Sequence, residues 1–138
     1  MKITRHATAN WQGTGREGQG TISTQSKTLD RVPLSFKTRV GDGTAANPEE
    51  LIGAAHAGCF SMKLAFILEE LGYKDIMLDT TANVVFENGK ITNVHLDLNA
   101  TIPSITDDVF QKAARNAKEE CPVSMLLNAE ITLNAVLN

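Results

Sequence analysis

Two cysteines, Cys59 and Cys121, are the residues of this chain best placed to do chemistry. Cys59 lies in the middle of a long apolar stretch, NPEELIGAAHAGCFSMKLAFILEELG, and Cys121 stands where a second helical run breaks, in EECPVSMLL. Two readings fit. In one, each cysteine is a small buried hydrophobe. In the other, the pair is a reactive thiol and the partner that resolves it. The second reading needs a thiolate, because a free thiol with a pKa of about 8.5 is mostly protonated at neutral pH.

Cys59 falls about three turns into its predicted helix, where the helix dipole gives little help. A cation must ionise it. Arg39, on the polar face of the preceding predicted strand, and Arg16, in a glycine-rich loop, are the two candidates, and either also fits a solvated surface charge. Glu49 and Glu50 open the helix, where carboxylates offset the dipole. A carboxylate can also orient an arginine through paired hydrogen bonds. His56, three residues before Cys59, would suggest acyl transfer if the two side chains paired. No orienting Asn or Asp is evident nearby, so a buried or interface histidine is the simpler reading. Met62, Phe66 and Met125 read as core, or as an apolar collar for a substrate. Cys121 precedes Pro122, which biases it out of helix, and a thiol at a helix break can move as a resolving residue must. His6, His56 and His95 are far apart, and neither metal-ligand spacing nor a CxxC occurs.

The elements that must position these residues are legible as punctuation. Ile3 to Trp11 and Thr21 to Thr24 read as strands around a glycine-rich turn. Val32 to Val40 alternates, with Val32, Leu34, Phe36 and Val40 on one face and Pro33, Ser35, Lys37 and Arg39 on the other. Pro33 suits an edge or a strand start. GDGTAAN reads as a loop, and Asn47-Pro48-Glu49-Glu50 reads as a helix start running to about Leu71, with Gly72 just past its end. Apolar residues on nearly every side predict a central, buried helix. Leu78 to Glu87 and Ile91 to Ile102 flank Asn88-Gly89, a hairpin signal. Thr106 caps a helix from Asp107 to Glu120, Val123 to Leu127 adds a short turn, and Ile131 to Leu137 is a last strand. The order predicts an α+β domain, with antiparallel sheets wrapping the long helix.

The 138 residues suit one domain, 1–138. A net charge of −3 without a basic run argues against nucleic acid. MKITRHATANW has no apolar signal-peptide core, and no segment is expected to reach a membrane span, so a cytoplasmic protein is expected. There a lone cysteine pair is more often free or catalytic than a permanent bridge. One geometric constraint follows. Glu49 precedes Cys59 by ten residues, about 15 Å of rise on a straight helix. If both serve one site, the helix breaks near Gly53 or a second copy supplies the missing groups. An all-round apolar helix in so small a chain favours the second copy.

NPEELIGAAHAGCFSM, with CPVS about sixty residues later, resembles the OsmC family, relatives of the organic hydroperoxide resistance (Ohr) proteins. The resemblance extends to WQGTGREGQGTIST near the start and AEITLNAVL at the end. LSFKTRV, GAAHAGCFSM and CPVS place it nearer OsmC than Ohr. It implies an intertwined homodimer with two sites at the subunit interface. The implied activity is a thiol-dependent peroxidase acting on organic hydroperoxides, and on hydrogen peroxide less well. By position, Cys59 becomes the peroxidatic cysteine, Cys121 the resolving one, and Glu49 the acid that holds the arginine. The OsmC pattern gives Arg39 as that arginine, the Ohr pattern Arg16, and Arg39 is preferred. No metal, haem or flavin is implied. The reductant is an external thiol, for which the Ohr branch suggests a dihydrolipoyl group. No membrane or nucleic-acid partner is expected.

Overall fold

The structure is a computed structural model and describes residues 1–41 and 44–138. Asp42 and Gly43, part of the loop expected at 41–47, lie outside the described residues. The chain divides into two compact units, Met1–Leu51 and Ile52–Asn138.

In the first unit, β1 (Ala7–Gln12), β2 (Gln19–Thr24) and β3 (Val32–Ser35) form an antiparallel sheet in that order. Gly20 lies opposite Trp11, and a side chain there would run into the Asn10 carbonyl. Pro33 sits on an edge strand, as its missing N–H requires. The alternating stretch does not continue to Val40. It stops at Ser35, and Phe36–Val40 form a short helix, α1. The reason is local capping. The Ser35 hydroxyl accepts from the Thr38 amide at 3.2 Å, and the Thr38 hydroxyl accepts from the Ser35 amide at 2.9 Å. Arg39 therefore leaves from the last turn of a helix and not from the polar face of a strand. The unit has almost no core: all six residues of β1 are exposed, and of its described residues only Gly18, Ala46 and Glu49 are buried.

The long helix, α2 (Pro48–Glu70), starts in the first unit and runs unbroken through Gly53. Asn47 caps it, its Oδ1 accepting from the Glu50 amide at 2.8 Å. At the other end Gly72 takes φ +94°, and the Tyr73 and Gly72 amides donate to the Leu68 and Glu69 carbonyls, a Schellman ending. The expectation of an all-round buried helix fails within this chain. His56, Phe60, Leu64 and Leu68 form a buried stripe, while Ala54, Gly58, Met62 and Phe66 form an exposed one. The helix is also long and apolar enough, by length and composition, to cross a membrane, which the sequence was not expected to provide. A core helix passes the same test, and the buried stripe of α2 packs into the core cluster.

The rest of the second unit is β4 (Met77–Glu87), β5 (Lys90–Thr101), α3 (Asp107–Glu120), α4 (Pro122–Leu126) and β6 (Glu130–Leu137). β4 and β5 form the expected hairpin, turning at Asn88 (φ 51°) and Gly89 (φ 79°). β6 pairs parallel to β5, so the sheets are not all antiparallel. The connection explains it: β5 and β6 are joined through α3 and α4, and a helical crossover returns a strand in the same direction. Val94, Leu96, Leu98 and Ala100, alternate residues of β5, share a core cluster with Phe60, Leu64 and Leu68 of α2 and Phe110, Ala113, Ala114 and Ala117 of α3. At Gly53, α2 comes so close to β4 that a Cβ would stand 3.3 Å from the Ala82 carbonyl. The α+β class is as the sequence implied.

Candidate active site

The two sulfurs meet in the second unit. Cys59 is half-buried on α2 and Cys121 is fully buried between α3 and α4. Both are free thiols. Cys121 is extended, φ −60° and ψ 126°, as a residue before proline should be. Its thiol makes no capping hydrogen bond to α4; it lies within hydrogen-bonding reach of Cys59. The backbone N–H of Val123, in the first turn of α4, is close enough to the Cys59 sulfur to favour its charged form. Burial pushes the Cys59 thiol pKa up, the Cys121 thiol adds to the rise, and the Val123 amide opposes it without cancelling it. These surroundings alone favour the thiol, so a thiolate at neutral pH needs a cation.

Beside Cys59 lies an apolar hollow of about 510 Å³, lined by Ala54, Ala55, Gly58, Met62, Phe66 and Pro122, with Lys63 also on its wall. Met62 and Phe66 are 64% and 58% exposed, so they are not core but side chains on the wall of the hollow. Met125, 73% exposed, is not core either and does not line this hollow. Lys63 pairs with Glu120 at 3.5 Å, tying α2 to the end of α3 next to Cys121.

His56 does not pair with Cys59. Its Nε2 lies 2.7 Å from the hydroxyl of Ser124, on α4, and its Nδ1 is buried with no hydrogen-bond partner among the described residues. Burial lowers its pKa, so the ring is neutral at physiological pH. Ser124 and the Val123 amide were not singled out from the sequence. The one signal was their place in CPVS, directly after a cysteine at a helix break.

The predicted cation and acid meet in the first unit. Arg39 Nε and Nη2 donate to the same Glu49 oxygen at 2.9 and 2.7 Å. Glu49 is only 8% exposed, so this charge-assisted fork is partly shielded from water. Arg16 is held differently: its guanidinium lies 5.7 Å from the centre of the Phe36 ring, a cation–π contact. Phe36, Arg39, Trp11 and Pro48 border a hollow of about 140 Å³. Arg39 is thus the arginine braced by an acid, and Arg16 is braced by a ring.

An α+β fold with two facing thiols at a helix break defines a protein with a two-cysteine thiol site. The chain belongs to the OsmC family: the family model described as OsmC-like protein matches residues 41–136. Peroxiredoxin OsmC of Escherichia coli is 42% identical over 138 residues, spanning 97% of this chain and 96% of that one. An organic hydroperoxide resistance protein-like chain of Mycoplasma genitalium is 31% identical, over 91% of this chain and 89% of its own. The crystal structure of an organic hydroperoxide resistance protein from Elizabethkingia anophelis, with thiocyanate bound, superposes with a TM-score of 0.70. That match covers all of this chain and 99% of that one at 24% identity, a likeness of fold.

Proposed function

We infer that this chain is a thiol-dependent peroxidase of the OsmC/Ohr kind, reducing organic hydroperoxides with Cys59 as the reactive sulfur and Cys121 as its resolving partner. The observation that carries this reading is the pair of free sulfurs within reach of each other, one of them, Cys59, on the wall of an apolar hollow. Such a hollow suits the organic part of a hydroperoxide better than it suits hydrogen peroxide. The Cys59 thiolate attacks the distal peroxide oxygen and releases an alcohol. Arg39, steadied by Glu49, stabilises the thiolate and the charge developing on the departing oxygen. Cys59 becomes a sulfenic acid, Cys121 condenses with it to a disulfide and water, and an external thiol, a dihydrolipoyl group by likeness to the Ohr branch, restores both.

The site is completed by a second copy. α2 runs unbroken through Gly53, which supports a second copy over a helix break between Glu49 and Cys59. The apolar stripe on α2 and the uncovered β1 are surfaces that an intertwined homodimer buries. On this reading residues 1–138 are one OsmC-like domain of a soluble, cytoplasmic dimer. Cys59→Ser tests it. The variant is expected to stay folded by circular dichroism and to lose cumene hydroperoxide turnover with a dithiol reductant. Full turnover in that variant eliminates the reading. Slow alkylation of wild-type Cys59, with no disulfide after one equivalent of hydroperoxide, would instead mark a non-catalytic binding protein of the same fold.

A further inference from the structure

Two groups meet Cys59 from across the site, the Cys121 thiol just before α4 and the Val123 amide in its first turn, yet little holds α4 in place. It has five residues, none of them buried, and Met125 and Leu126 are 73% and 79% exposed. Val123 and Leu127 pack against the core only in part. The one side-chain hydrogen bond from α4 among the described residues is Ser124 to His56, 2.7 Å long and spanning 68 positions of sequence. His56 is fully buried on α2, one turn before Cys59. An apolar side chain there would fill the space without stranding a buried nitrogen, whereas His56 leaves Nδ1 unpaired. Because an orphaned buried N–H is rarer than an orphaned acceptor, the proton belongs on Nε2, which donates to the Ser124 oxygen. What the imidazole adds over a hydrocarbon is this bond.

We propose that His56 and Ser124 are positioning residues for the resolving step: their hydrogen bond pins α4 to α2 so that the Cys121 sulfur faces the oxidised Cys59. The proposal rests on the peroxidase reading above. In that step the Cys121 sulfur forms a bond to the Cys59 sulfur and the S–O bond of the sulfenic acid breaks. The hydroxyl leaves as water with the proton of the Cys121 thiol. The two electrons lost by the thiols have already reduced the hydroperoxide to an alcohol. Disulfide formation needs the attacking sulfur in line with the S–O bond, so it is sensitive to where α4 sits. Peroxide attack depends on Cys59 and its cation and is less so.

The experiment compares the two steps in Ser124→Ala, Ser124→Thr and the wild type after one equivalent of cumene hydroperoxide. Sulfenic acid is trapped with dimedone, and disulfide is read as the loss of two hydrogens by rapid-quench mass spectrometry. In Ser124→Ala, sulfenic acid should form within about threefold of the wild-type rate, while disulfide forms about tenfold more slowly, the scale of one lost buried hydrogen bond. The dimedone adduct should accumulate, and Ser124→Thr, which keeps the hydroxyl, should restore the disulfide rate. Ser124 is partly exposed, so its alanine variant should fold, and a urea midpoint checks this. His56→Leu combined with Ser124→Ala should be no slower than Ser124→Ala alone. A wild-type disulfide rate in Ser124→Ala, or equal slowing of both steps, overturns the proposal. A wild type that yields neither sulfenic acid nor disulfide overturns the peroxidase reading beneath it.

Discussion

The two units of this chain are built on opposite principles. Residues 52–138 hold a continuous core of thirteen buried apolar residues, from Phe60 to Cys121. Residues 1–51 hold a three-stranded sheet whose first strand is exposed along its whole length. The sulfurs belong to the first kind of structure, Arg39 and Glu49 to the second. A sheet with so few buried side chains is not by itself a stable arrangement in water. The difference teaches that the unit holding the thiols is self-sufficient in its packing, whereas the unit holding the charged pair has little packing of its own. In the proposed dimer the partner chain supplies the missing cover, so that folding of the first unit and assembly of the proposed site become one event.

The contrast can be attacked directly. The largest expected effect is on stability: Leu64→Ala should cost about 3 kcal/mol in urea unfolding by leaving a cavity in the well-packed unit, and Val32→Ala, in the sparse one, under about 1 kcal/mol. Equal costs would erase the distinction. Next comes the cation. Arg39→Ala should lower kcat/KM about a hundredfold and move the pH midpoint of Cys59 alkylation upward, because burial and Cys121 then act unopposed except by the Val123 amide. Mixing this variant with Cys59→Ser should restore about half of the wild-type rate per mixed dimer if Arg39 serves the partner's sulfur, since one intact site is rebuilt. No restoration would place both groups in one chain. Glu49→Gln keeps the shape but not the charge, and should cost about tenfold, read in the same assay.

Smaller effects sharpen the picture of the thiol half. The folded-state pKa of His56 lies below its ordinary 6.5, so the unfolded chain binds this proton more readily. Its contribution to stability is whole above that value, and is lost as pH falls from there through the depressed folded pKa. Urea midpoints of wild type and His56→Gln should therefore converge on acidification, and parallel curves would show the ring to be indifferent. Smallest of all, Lys63→Met should change stability by under about 1 kcal/mol, because its bridge to Glu120 is solvated.

Much of this was legible in the residues. Asn47-Pro48-Glu49-Glu50, Asn88-Gly89, Thr106 and Gly72 each carry local chemistry that fixes an element's end whatever surrounds it. Where the reading failed, a non-local or competing effect had decided. The alternation through Val40 was genuine, but the Ser35–Thr38 capping pair won over it. The direction of β6 depends on a crossover that no residue of β6 encodes. The exposed face of α2 is the one turned away from the core cluster, which its uniform hydrophobicity conceals. Of the candidate site, the two cysteines could be read from the residues, while the pairing of Glu49 with Arg39 came from the family resemblance. The His56–Ser124 contact could not, because it joins two elements 68 positions apart.

Cys121 is wholly enclosed, and only Cys59 reaches the hollow. If the two are joined as the proposed cycle requires, a regenerating thiol can approach only the outer sulfur of the bond, with the inner one as the departing group. Oxidant and reductant must then enter by the same doorway in turn, each excluding the other. A dead-end alkyl thiol lodged there would be expected to halt both halves of the cycle at once.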